Sequence, residues 1–230
     1  MITLTKTLPD IGKINAEWVK IKCLYEAYKN DDKVLFWVQD TDKAIISMTD
    51  GNMIIFNNRA NFEELKEFAD VLNPACVFSD YDTLCSIDRK PQEKINIMYR
   101  LADITESEKN DTLKSDEIYS LLDVQGLSLP EYPYFAVDYC HRLNLGLAEC
   151  FAIKNKCAAV SFNCGDMAIM NGIASHEKGF GGIALKGILK KNYGRHFLVC
   201  CRDKVKGFYE KNGIEPLYFG GYWVKEYEHK

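Results

Sequence analysis

No stretch of this sequence approaches the ~18 uninterrupted apolar residues of a membrane-spanning helix, and its opening, MITLTKTLPDIGK, lacks the apolar core of an export signal. A cytoplasmic location and no membrane partner are expected. No CxxC pair is present, and the nine cysteines (Cys23, Cys76, Cys85, Cys140, Cys150, Cys157, Cys164, Cys200 and Cys201) are odd in number and scattered through apolar segments. That excludes a disulfide framework and a zinc ribbon, and favours small buried hydrophobes in a reducing compartment. Histidine is scarce: His141, His196 and His229 show no ligand spacing, so no metal is expected. A strong basic excess is also missing. The net charge of -4 argues against a nucleic-acid partner, which calls for a basic domain.

What is present is enough chain, 230 residues with 47% hydrophobic content, to close a sizeable core. Charge divides unevenly along it: residues 1–128 carry 15 basic against 23 acidic side chains, and residues 129–230 carry 14 against 10. The least regular stretch, Thr105 to Lys114 (TESEKNDTLK), is polar without apolar periodicity and marks a linker at 105–112. Two domains are expected, 1–104 and 113–230. A shift of 114 positions sets Ala44–Asn57 (AIISMTDGNMIIFN) over Ala158–Asn171 (AAVSFNCGDMAIMN) with six of fourteen positions identical. Each copy reads as a hairpin turning at Asp50-Gly51-Asn52 or Cys164-Gly165-Asp166. After the first comes a helix, Asn61–Leu72, with Asn61 as N-cap and Phe62, Leu65, Phe68, Ala69 and Leu72 on one face, then a strand, Ala75–Ser79. After the second comes the loop SHEKGFGG, then a helix Ile183–Lys191 and a strand His196–Cys201. The parallel order implies a duplicated α/β unit.

Gly179-Phe180-Gly181-Gly182 lies between an apolar strand and an amphipathic helix. Glycine lets backbone approach an anion, and a helix start adds unpaired amides and the positive end of the helix dipole. Such a run can equally be a tight turn. It is not a Walker loop, since no Lys-Ser or Lys-Thr follows, and its spacing differs from the dinucleotide fingerprint. Lys178, Lys186, Lys190, Lys191, Arg195, Arg202, Lys204 and Lys206 cluster in the same region, which suits a ligand with several phosphates.

At these residues the chain resembles the GCN5-related N-acetyltransferases, the GNAT superfamily. Their pyrophosphate loop reads Arg/Gln-x-x-Gly-x-Gly/Ala and opens into a helix; His176-Glu177-Lys178-Gly179-Phe180-Gly181 matches both glycines, with His176 in the first position. Phe208-Tyr209-Glu210-Lys211-Asn212-Gly213-Ile214 is similar to the family's Tyr-Glu-Lys-x-Gly-Phe segment, Ile214 replacing Phe. Arg202 falls where the family often has Asn. Aromatic final strands, Tyr218–Tyr227, follow. The resemblance covers roughly Leu113–Lys230, with a degenerate echo through Ala44–Asp80.

The resemblance implies an α+β GNAT fold with a mixed, mostly antiparallel sheet flanked by helices, in two related halves of which only the second carries the CoA loop. It implies acetyl-CoA as co-substrate and direct transfer of the acetyl group to a primary amine. Cofactor contacts would come from His176 and the amides between Lys178 and Gly182, through Gly179, Phe180 and Gly181. The strand segment Asn171, Gly172 and Ile173 would pair with the pantetheine, and Leu198–Arg202 would splay from its neighbour to admit it. Arg202, Val205 and Tyr209 complete the set. Tyr209 would protonate the departing thiolate, and Glu149 or Asp166, each placed on a central strand, would draw the amine's proton through water. The acceptor would be a small-molecule or peptide amine, and the protein a monomer or homodimer. Two other functions stay open: a non-catalytic CoA-binding or sensing protein, and transfer of a different acyl group. For the acidic first half there are also two readings, a decayed repeat that closes the core and a wall of carboxylates that draws in a cationic amine.

Overall fold

The computed structural model describes residues 1–125 and 127–226. Along the chain run β1 (Ile2–Leu4), α1 (Ala16–Tyr28), β2 (Leu35–Gln39), β3 (Ala44–Thr49), β4 (Asn52–Asn57), α2 (Phe62–Leu72), β5 (Cys76–Asp80), α3 (Tyr81–Ser86) and β6 (Glu93–Leu101). Then follow α4 (Ser115–Leu122), α5 (Tyr132–Asn144), β7 (Ala148–Ile153), β8 (Cys157–Cys164), β9 (Met167–Ser175), α6 (Phe180–Lys191), β10 (His196–Cys201), α7 (Asp203–Lys211) and β11 (Glu215–Val224). Strands and helices mix in an α+β arrangement, and pairing is mostly antiparallel. β4 with β5 and β9 with β10 run parallel. Tyr227 and His229, the first expected in the final strands, lie outside the described residues.

The expected repeat is visible as a repeated order of elements. The hairpin β3–β4 is followed by α2, β5, α3 and β6, and the hairpin β8–β9 by α6, β10, α7 and β11. Asp50 and Gly51, both at positive φ, make the tight first turn, and Gly165 at φ 60° opens the second. Asn61 caps α2 by accepting the Glu64 N–H at 3.2 Å, as its sequence position suggests. Leu65 and Ala69 of α2 are fully buried on β3, β4 and β5, with Phe62, Phe68 and Leu72 packed beside them.

The chain forms two compact units that do not follow the expected division at 105–112. One comprises 1–98 and 200–230, the other 99–199. In the first, the strand order is β1-β2-β3-β4-β5-β11. The departure comes from β11: the last strand of the second series pairs antiparallel with β5 of the first, Tyr222 facing Phe78 and Gly220 facing Asp80. In the second unit the order is β10-β9-β8-β7. Residues 102–114 form neither helix nor strand, but they are tied down. Asn110 Oδ1 accepts the Ala152 N–H and Asp111 Oδ2 the Lys154 N–H, both at 2.8 Å, so the segment covers the edge strand β7.

The cysteines vary more than expected. Cys23, Cys157, Cys164 and Cys201 are buried, Cys76, Cys150 and Cys200 half-buried, and Cys85 and Cys140 exposed, with no disulfide among them. Among the described residues no helix is long and apolar enough to cross a membrane.

Candidate functional site

The glycine loop leaves β9 after Ser175 and is held by the β7–β8 turn. The His176 N–H donates to the Lys156 carbonyl at 2.8 Å, Lys156 pairs with Glu177 at 3.6 Å, and its ammonium stands 4.5 Å above the Phe180 ring. Gly179 is the N-cap of α6 with φ 93° and ψ −26°, and no side chain caps the helix. A Cβ at Gly179 would meet nothing within 4 Å, so the glycine is required by its left-handed backbone, not by space. The helix begins at Phe180, about a turn before the expected Ile183. Gly181 and Gly182 therefore lie in its first turn, where amides have no intrahelical partner and the dipole favours an anion.

The strand leading to this loop is bulged. Val160 faces Gly172 and Ser161 faces Met170, which leaves Asn171 as an extra residue opposite β8. Asn171 is exposed, Ile173 half-buried and Gly172 buried. A Cβ at Gly172 would stand 3.4 Å from Leu127 Cδ2 and 3.6 Å from Leu122 Cδ2, so α4 packs close against the strand. On its other side, β9 pairs with β10 only from Met167 to Ile169, opposite His196–Leu198. From Met170 onward, where the bulge lies, β9 runs on to Ser175 beyond that ladder.

Beside the loop is a cavity of about 390 Å³ lined by Glu117, Ser120 and Leu121 of α4, Lys154 and Asn155 of the β7–β8 turn, Leu113 and His176. The His176 Nε2 is bound to the Leu121 carbonyl at 3.0 Å, and Lys154 pairs with Glu117 at 3.0 Å. The Lys114 N–H, then Lys154, hold the Glu117 carboxyl below its ordinary range. Lys178 is exposed.

Tyr209, Arg202 and Val205 belong to α7 and its N-cap, in the first unit. Tyr209 is 5% exposed and packs edge-to-face on Phe208 at 5.1 Å. Burial pushes its phenol well above the ordinary tyrosine value, with Cys201 and Cys200 next in effect. Arg202 is engaged by Glu93 at 2.8 Å, and Val205 is 39% exposed. The two base candidates are not on central strands. Glu149 lies on β7, the edge strand of its unit, and Asp166 is exposed on the β8–β9 turn. Both are in the second unit. Among the described residues no three of His, Cys, Asp and Glu are grouped to hold a metal ion.

The corresponding junction in the first copy of the repeat is closed by hydrogen bonds. Where β4 and β5 cease to pair beyond Ile54 and Phe78, the Ser79 hydroxyl donates to the Ile55 carbonyl at 2.7 Å. Asn57 then donates to Thr83 at 2.8 Å and accepts the Arg59 and Ala60 N–H groups.

Among the buried polar groups that sequence reasoning missed is Glu17 on α1. Nothing near it in the sequence marks it, because its partner, Tyr218, is 201 residues away.

No family model and no curated protein matches the sequence. Solved structures do match its fold. A GCN5-related N-acetyltransferase from Sphaerobacter thermophilus superposes with a TM-score of 0.54 at 11% identity, over 96% of this chain and 97% of that one. A tandem GNAT protein from the clavulanic acid biosynthesis pathway gives 0.53 at 10% identity, over 96% and 90%. A Drosophila protein gives 0.54 at 9% identity, over 86% and 80%. The chain therefore has the two-half GNAT fold.

Proposed function

We propose that this protein transfers the acetyl group of acetyl-CoA to a primary amine. The observation that carries the reading is the junction of β9 and α6: a bulged strand, a left-handed glycine and an uncapped helix start follow one another. Backbone amides from Lys178 through Gly182 take the pyrophosphate, with His176, Lys178 and Phe180 around it. The pantetheine arm lies along Asn171, Gly172 and Ile173, past the end of the β10 ladder, and binds by main-chain hydrogen bonds as an added strand does. An N–H of that segment polarises the thioester carbonyl.

In the transfer the amine nitrogen forms a bond to the acyl carbon, the C–S bond breaks and the thiolate needs a proton. The proton the nitrogen loses reaches the sulfur, whose free thiol pKa is about 8.5, through solvent, and Tyr209 hydrogen-bonds the departing sulfur; burial keeps the phenol protonated at neutral pH and so able to donate that bond. Titration calorimetry with acetyl-CoA, CoA and a longer acyl-CoA tests the reading. Acetyl-CoA is expected to bind, and a turnover screen against primary amines to release CoA. Binding of none of the three would end the assignment; preference for the longer chain would point to another acyl group.

A further inference from the structure

The turn between β7 and β8 reaches across to the glycine loop through a single residue. Asn155, at φ 61°, takes the left-handed backbone that asparagine tolerates, and the Lys156 N–H closes the turn on the Ile153 carbonyl at 3.0 Å. β8 then starts opposite the end of β9, Cys157 facing Ser175, so the residues just outside that ladder, Lys156 and His176, also meet. The Lys156 carbonyl accepts the His176 N–H at 2.8 Å. Its ammonium lies 3.6 Å from the Glu177 carboxylate and 4.5 Å from the centre of the Phe180 ring. Lys156 therefore holds His176, Glu177 and Phe180, the last of them the first residue of α6.

These contacts add little to the stability of the fold. The Lys156 and Glu177 side chains are 41% and 51% exposed, and ion pairs that open to water are weak. Their place at the loop says more. The Phe180 N–H donates to the Glu177 carbonyl at 3.3 Å, which folds Glu177 back toward the start of α6. A carboxylate there competes with an anionic ligand for the positive end of the helix. The loop cannot offset it alone, because its own side chains bring one cation, Lys178, against Glu177. The nearby groups are committed elsewhere: His176 Nε2 to the Leu121 carbonyl at 3.0 Å and Lys154 to Glu117 at 3.0 Å. Lys156 supplies the missing positive charge from a different element of the same unit.

We propose that Lys156 is a positioning residue of the cofactor site: its ammonium neutralises Glu177 and fixes Phe180, so that the amides at the start of α6 meet a pyrophosphate with no free carboxylate beside them. The role rests on the acetyl-CoA reading above. Without the ammonium, Glu177 is a like charge next to the bound phosphates, repelling them at short range where salt screens it only in part. Without both charges the repulsion is gone as well. The effect of removing Lys156 therefore depends on Glu177, which would not be so if Lys156 only packed against the loop. Arginine at 156 keeps both the charge and a cation over the Phe180 ring, whereas methionine keeps only the apolar stem.

The test is calorimetric titration of the whole chain with acetyl-CoA. Lys156→Met is expected to weaken binding by about fivefold to tenfold, and Lys156→Arg to bind as the wild type does. Glu177→Gln alone should bind at least as tightly as the wild type, and combining it with Lys156→Met should recover affinity to within about twofold of the wild type. The gap between the wild type and Lys156→Met should narrow as sodium chloride rises from about 20 mM to about 500 mM. Undiminished binding by Lys156→Met, or a loss that Glu177→Gln does not repair, would overturn the proposal. So would weaker binding by Glu177→Gln alone, a result that needs no change at Lys156 and stands even if the Lys156 variants fold poorly. A wild type that binds no acetyl-CoA would remove the transfer reading and this role together, whereas a wild type matched by Lys156→Met would remove the role alone.

Discussion

Glu17 departs from the expectation for its environment, since carboxylates are almost never fully buried without a charged partner. Its folded pKa of about 7 lies above the unfolded carboxylate value, so the folded protein holds a proton that the unfolded chain releases. Its contribution is complete below the unfolded pKa and is lost as the pH rises through about 7. The size is roughly 3 kcal/mol, from a shift of between two and three pH units. Urea melts at pH 5 and pH 8 should show the wild type losing stability at the higher pH, and Glu17→Gln much less. A pH dependence that survives in Glu17→Gln would place its source elsewhere. Tyr209 yields a different test. Replacement by Phe keeps the ring packed on Phe208 and removes the hydrogen-bond donor, so turnover should fall by about a hundredfold or more while acetyl-CoA affinity holds; unchanged turnover would remove Tyr209 from the chemistry. These two residues also differ in how legible they were. Tyr209 sits in a contiguous motif, Phe208 to Ile214, and can be read locally. Glu17 followed by Lys20 is an ordinary exposed-helix pattern, and the side chains that bond to them, Tyr218 and Tyr222, are 201 and 202 residues away.

Among elements, α6 joins two requirements that glycine meets for different reasons. At Gly179 the backbone is left-handed, and at Gly187 a Cβ would stand 2.2 Å from the Phe151 ring, so the helix lies directly on β7. Gly179→Ala has room for its methyl group but must adopt φ 93°, at a cost of about 1–2 kcal/mol. The backbone can escape only by shifting the start of the helix. Acetyl-CoA affinity should therefore fall more steeply than the melting temperature, and a variant that binds normally would separate the loop from the cofactor. Most of these elements could be read in advance: both hairpins, the Asn61 cap and the strand His196–Cys201 follow from local turn, cap and apolar-run chemistry. Less legible was where α6 begins, because glycines read as loop until the turn that contains them is seen. The bulge at Asn171 was also hidden, since it is defined by the register of a partner strand. Several acidic side chains of the first half are surface partners, as Asp40 with Lys43 at 3.0 Å and Asp88 with Lys66 illustrate, which favours the scaffold reading for these.

For the molecule as a whole, the repeat predicts two similar halves, and the compact units redistribute them. Sequence similarity records the order of elements but not which strand completes which sheet, and β11 completes the sheet begun by β1 to β5. The first 104 residues therefore lack part of their own unit. Without β11 the edge of β5 is unpaired, the Phe78 ring loses Tyr222 at 4.7 Å, and Glu17 loses its hydrogen bond from Tyr218. Removing one partner of a buried charged group costs more than the bond itself contributes, and a small unit has little stability to spare. A fragment of residues 1–104 is expected to show no cooperative melt by circular dichroism. Fusing residues 200–230 to it through a flexible linker should restore one, because every pairing named above would again be available. A sharp transition in the unfused fragment would mean that the first half closes its sheet alone and that β11 is an addition to it.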